Sequence, residues 1–236
     1  MRLLLLGTLL LTGPALGESE EFNVLMLGNS HTTQNKLPEI IEVLLQHDSG
    51  ASAAQVEVSR RWSFLQERLH DGVSQELLQS QNWSHVILQA QKYSTSGRYS
   101  YPTDAAEEWI RQTRAQGAQP VLFPEWGQRG NAGEAERVQA LHESIANREA
   151  ACVAPVGLAW DLVLQSNPEI RLHHRDGNHS NKNGAHLAAY VLYEAVSRRP
   201  ARDLPTIDAL KIKPELQEIF RNAASSAFTQ AGSCDG

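Results

Sequence analysis

The chain has 236 residues, 41% of them hydrophobic and 20% charged, which is enough for one well-buried domain, and no shift in composition marks a second. A formal net charge of -6, with Lys and Arg spread thinly, argues against nucleic acid or an anionic membrane surface as the natural partner. The basic doublets Arg60-Arg61 and Arg198-Arg199 read as ordinary solvated surface.

Met1-Arg2, the apolar run at residues 3–11, and the small residues Ala15 and Gly17 form the pattern of a secretory signal peptide over residues 1–17, with cleavage expected after Gly17. The run is too short to span a bilayer, and no later stretch approaches the ~18 apolar residues of a membrane helix. Residues 18–236 are therefore expected to form one exported domain, periplasmic or secreted, without stable membrane insertion. In such a compartment Cys152 and Cys234 could pair or remain thiols.

Residues 22–28 read as a buried strand, and residues 37–46 place Leu37, Ile40, Ile41, Leu44 and Leu45 at helical spacing with Pro38 in the first turn. Weak alternation over 55–59 predicts a second strand, followed by a helical stretch over 64–78. Strands follow at 83–89 and 119–123, separated by a helix beginning near Thr103. A charged amphipathic helix at 134–149, a short fifth strand at 151–156 and helices at 183–196 and 214–227 complete the chain. Strands alternating with helices throughout predict an α/β fold, a parallel sheet covered on both faces.

The first strand ends in Gly28 and leaves Ser30 at its carboxyl end, where open α/β sheets place their ligands. Far along the chain, Asp176-Gly-Asn-His179 sets a carboxylate and an imidazole three residues apart, just before the helix at 183–196. A serine hydroxyl is a poor nucleophile until a neutral imidazole takes its proton, and that imidazole needs an acceptor to fix its tautomer. One loop can supply both groups to a serine from the opposite end of the chain. Ser30 also suits a helix cap. His173 and His174 beside Asp176 and His179 suggest zinc, but adjacent histidines point apart and no further acidic or Cys set completes a familiar spacing, so neither metal nor cofactor is expected. His31 either lines the pocket or is a satisfied loop residue. Tyr93 and Trp126, at predicted strand ends, either stack on a sugar ring or acyl group or simply pack.

Three segments together, Gly28-Asn29-Ser30, Trp83-Ser-His-Val-Ile-Leu-Gln89 and Asp176-Gly-Asn-His179, resemble the blocks of the SGNH (GDSL-type) hydrolase superfamily over nearly the whole chain after residue 17. The resemblance implies a flavodoxin-like three-layer α/β/α sandwich with a five-stranded parallel sheet. It assigns Ser30 as nucleophile, His179 as base and Asp176 as its orienting carboxylate. It also implies an oxyanion hole built from the Ser30 backbone N–H, a backbone N–H after the second strand, and an asparagine side chain after the third. Here the second block has no glycine, which leaves the N–H of Arg61 or Trp62. The third has no asparagine, as in a branch that uses glutamine. Gln89 and Gln91 would share a strand face, and Gln91 is preferred for lying nearer the strand's end. The expected function is an exported serine esterase acting on short acyl esters such as carbohydrate O-acetyl groups, with a small-molecule or carbohydrate ester as partner. The alternative is a non-catalytic carbohydrate or acyl-group binding protein on a decayed scaffold. Oligomeric state is not set by the sequence.

Overall fold

The computed structural model describes residues 20–60, 62–232 and 234; the predicted signal segment and Arg61 lie outside them. Strand β1 (Glu20–Leu27) runs into a short helix α1 (Ser30–Thr33), a 3-10 turn and α2 (Leu37–Gln46). Strand β2 (Ala51–Val58) leads to α3 (Leu65–Arg68) and α4 (Val73–Gln79), then β3 (His85–Leu88), α5 (Asp104–Ala115) and β4 (Gln119–Leu122). Helix α6 (Glu134–Ala146), β5 (Cys152–Val153), α7 (Val156–Ser166), α8 (Lys182–Ser197) and α9 (Pro214–Ala231) follow.

The five strands are all parallel and ordered β2-β1-β3-β4-β5. This is the flavodoxin-like order, in which the chain reverses direction across the sheet between β1 and β3. Alternation along β1 splits its apolar residues between two cores. Phe22, Val24 and Met26 meet α2, α7, α8 and α9, while Leu25 and Leu27 meet α3, α4, α5 and the end of α6. The predicted three-layer sandwich is thus the observed one.

Several boundaries differ from expectation. The helix predicted at 64–78 is broken at Asp71-Gly72, where Gly72 adopts φ 67°, a left-handed value that glycine reaches at low cost. The fifth strand is only two residues long, because Val156 already begins α7. Cys152 and Cys234 are joined as a disulfide that ties the chain's end to β5. Among the described residues no helix is long and apolar enough to cross a membrane.

Candidate active site

Ser30 follows β1 and the β3 end lies beside it, so the site sits at the switch point of the sheet. The turn that carries Ser30 is held by several hydrogen bonds. The Gly28 carbonyl accepts from the fully buried guanidinium of Arg68 at 2.5 Å, and the Asn29 N–H donates to Gln89 Oε1 at 2.8 Å. The Asn29 carbonyl accepts from the Thr32 hydroxyl, and its side-chain oxygen caps the His31 N–H at 3.0 Å. Gly28 is required by closeness: a Cβ there would lie 2.4 Å from Thr32 Cγ2 and 2.5 Å from Gln89 Oε1.

Asp176 and His179 stand on a hairpin-like loop. The Asn181 N–H donates to the Leu172 carbonyl and the His174 N–H to that of His179, pinching its base. Gly177 turns its tip with φ 78°. The loop is fixed from outside by Asn35, whose amide donates to the Ser180 carbonyl at 2.7 Å, and by Trp126, whose indole N–H donates to the Asn178 carbonyl at 2.8 Å. Helix α8 approaches closely enough that a Cβ on Gly184 would overlap the Leu172 carbonyl and the Trp160 ring.

The structure brings Ser30, His179 and Asp176 together. Ser30 Oγ is 2.8 Å from His179 Nε2, and His179 Nδ1 is 2.8 Å from Asp176 Oδ2. The other Asp176 oxygen accepts the N–H groups of Asn178 and His179. The Asn178 N–H first, then the His179 imidazole and the His179 N–H, hold the Asp176 carboxyl well below the usual carboxylate range. His174 Nδ1 lies 3.2 Å from Asp176 Oδ2, so Asp176 serves two imidazoles. His173 instead binds the Gly127 carbonyl and sits edge-on to Trp160.

The remaining predicted residues divide sharply. Gln91 does not face the serine; its amide donates to the carbonyls of Lys92 and Pro102, each at 2.9 Å. The expectation that it shares a strand face with Gln89 fails because β3 ends at Leu88 and Ala90 adopts φ 73°, so the alternation stops. Gln89 is at the site but wholly buried, with Oε1 on Asn29 and Nε2 on Glu125 Oε2 at 2.9 Å. Trp62 is largely exposed, and the neighbouring Ser63 N–H approaches the Gly28 carbonyl at 3.5 Å. Of the two readings of Trp126, ligand platform or packing residue, the structure shows packing: it is buried and stacked flat on Trp160 with ring centroids 4.2 Å apart. It supports the loop from beneath, and its face is closed to a ligand.

His31 is also buried, stacked on the His179 ring at 4.8 Å and edge-on to Trp126. Burial, and then the neighbouring charge on His179, lower its pKa to about 4, so it is a neutral wall of the site. Tyr93 is half-buried against Glu125 and Glu134; burial and the two carboxylates push its phenol far up. Sequence reasoning missed Arg68 and Glu125. Arg68 is indistinguishable by pattern from a surface arginine. Glu125 carried one signal: an acidic residue just beyond a strand's carboxyl end.

No protein-family model matches the chain, and no curated protein matches it. Solved structures do. A candidate SGNH hydrolase from Slackia heliotrinireducens is 26% identical over 74% of this chain and 98% of its own, with a TM-score of 0.62. A DUF4886 family protein from Bacteroides uniformis is 16% identical over 89% and 95%, with a TM-score of 0.71. The psychrotrophic esterase EstA from Pseudoalteromonas sp. is 14% identical over 75% and 97%, at 0.53. The architecture, strand order and these likenesses agree with the blocks in the sequence: the chain has the fold of the SGNH (GDSL-type) hydrolases, a fold whose solved examples include ester hydrolases.

Proposed function

We propose that the protein is an exported serine ester hydrolase working through Ser30, His179 and Asp176. The observation that carries this reading is the unbroken line from Ser30 Oγ through both ring nitrogens of His179 to Asp176, each link 2.8 Å. Ser30 gives its proton to His179 Nε2 as Oγ attacks the ester carbonyl carbon. The oxyanion is held by the Ser30 N–H, which begins α1, and by the Trp62 N–H, beside Ser63 whose own N–H is turned to the Gly28 carbonyl. His179 returns the proton to the departing alkoxide, leaving an acyl-serine. Water then repeats the sequence through the same imidazole and releases the acid.

Short acyl esters of carbohydrates, O-acetyl groups above all, suit this site. Exposed Trp62, Phe64, Tyr99 and Tyr101 stand on the loops that leave β2 and β3 at the catalytic end of the sheet, where aromatic faces stack on sugar rings. The signal-peptide pattern of residues 1–17 supports export to the periplasm or beyond. A second reading, a non-catalytic carbohydrate or acyl-group binder, is favoured by one observation: the amides of Gln89 and Gln91 are both committed elsewhere, which leaves the oxyanion to backbone donors. Fluorophosphonate labelling with peptide mass spectrometry decides between the two. One adduct on Ser30, lost in His179→Ala, is expected; a folded protein that takes no label is a binder.

A further inference from the structure

Glu125 stands three residues beyond β4, at the catalytic end of the sheet, and takes no part in the triad. Its Oε2 accepts from Gln89 Nε2 at 2.9 Å, and Gln89 Oε1 accepts from the Asn29 N–H at 2.8 Å, one residue before the nucleophile. We propose that Glu125 is a positioning residue for Ser30, acting through Gln89; the inference rests on Ser30 being the nucleophile.

The chemistry follows from what each group can do. An ionised carboxylate only accepts hydrogen bonds, so it draws the amino end of the Gln89 amide toward itself and leaves the carbonyl end for Asn29. Were that amide to turn over, its N–H₂ would face the Asn29 N–H, donor against donor, and the peptide leading into Ser30 would have to move. There is little room for such movement. Gln89 is fully buried, and its Oε1 occupies space that even a methyl group on Gly28 would invade. A buried donor without an acceptor is costly, and a shift of about 1 Å at a reacting atom costs about 100-fold in rate.

Other groups face Glu125 from every side. His31 Nε2, from α1, lies 3.4 Å from the same Oε2. The Tyr93 hydroxyl comes from the loop after β3 and Glu134 from the start of α6, and the charge on His179 acts from the catalytic loop. Burial first, with Glu134 adding to it, raises the Glu125 pKa to about 7 against the pull of Tyr93, Gln89 and His179. Its hold on Gln89 therefore weakens as the pH falls below neutrality.

The test compares wild type with E125L, E125Q, Q89L and the E125L/Q89L double variant. It reads the rate of fluorophosphonate labelling and kcat and KM on an aryl acetate. E125L is expected to label and turn over about 100-fold more slowly with KM unchanged. E125Q, which keeps an acceptor oxygen, should stay within about tenfold of wild type at pH 8. It should also have a shallower acid limb in kcat/KM, because one ionisation has been removed. The double variant should be no worse than the worse single one, since both changes break one relay. E125L with wild-type rates, or a double variant equal to the product of the singles, overturns the proposal while the esterase reading stands. If E125L does not fold, an E125Q acid limb as steep as wild type's overturns it. A wild type that never labels at Ser30 removes the esterase reading and this proposal together.

Discussion

Two carboxylates serve the site, and they are opposites. Asp176 stands on an exposed loop three residues away, its side chain 42% accessible, and is held ionised by two backbone N–H groups and the imidazole. Glu125 is at most 14% accessible, faces Gln89, Tyr93, Glu134 and His31, and is pushed toward its neutral form by burial. Local hydrogen bonds outweigh solvation for the first; desolvation outweighs hydrogen bonds for the second. The same functional group is thus an anion throughout the neutral range on the catalytic loop and a conditional one beside Gln89.

Removing what both carboxylates serve should have the largest effect. Ser30→Ala or His179→Ala is expected to cost about 10⁴-fold to 10⁶-fold in turnover of an aryl acetate, measured against a blank at matched concentration. Equal turnover in wild type and Ser30→Ala would remove the catalytic meaning of either carboxylate. Next comes Asp176→Asn, at up to about 10⁴-fold in kcat. The new amide can present its N–H₂ to His179 Nδ1, which favours the tautomer with Nε2 protonated and unable to take the serine proton. A loss below about tenfold would mean that water or His174 replaces Asp176, and the exposed carboxylate would be structural only. The E125L loss of about 100-fold ranks third, and finding it larger than that of Asp176→Asn would invert the comparison.

The contrast also explains what could be read in advance. Asp176 and His179 are bonded within one short loop, so their sequence spacing already encodes their geometry. Gly28-Asn29-Ser30 is legible for the same reason: a buried strand, a glycine forced by close approach and a hydroxyl just beyond. Where the site depends on how separate stretches meet, pattern reading fails. Alternation put Gln89 and Gln91 on one strand face and the strand's end favoured Gln91, but β3 stops at Leu88 and the left-handed backbone at Ala90 cancels the alternation. Whether Trp126 meets a ligand or only packs turns on Trp160, 34 positions on in the sequence, which covers its face. Glu125 draws its surroundings from the ends of β1, β3 and α6, and nothing in Phe-Pro-Glu-Trp announces them.

The smallest predicted effect is on stability, and its sign separates the two carboxylates. Glu125 titrates in the folded state at about 7 against an ordinary 4.5, so between those values the folded protein binds more protons than the unfolded chain. Stability therefore falls as the pH rises through that window, by up to about 3 kcal/mol for this group. E125Q removes the titration, so its stability relative to wild type should be near zero at pH 4 and rise to a gain of a few kcal/mol at pH 8. That gain corresponds to roughly 6–12 °C in Tm for a domain of this size. The buried histidines His85 and His142, each lowered to about 4 and set apart from Glu125, add acid lability between 6.5 and 4 in both proteins and drop out of the difference, which then reports Glu125 with its neighbour His31. Asp176 has the reverse sign: its folded pKa is depressed, so its contribution is present above the ordinary aspartate range and lost as the pH falls. Urea unfolding of wild type and E125Q at pH 4 and pH 8 measures the first, and of wild type and D176N at about pH 5 and about pH 2 the second. A more stable but slower E125Q at pH 8 would mean that the buried carboxylate is kept at a cost in stability for what it does to Ser30. An E125Q no more stable than wild type at pH 8 would mean that its partners already compensate the buried charge, and that Glu125 belongs with Asp176 as a plain anion.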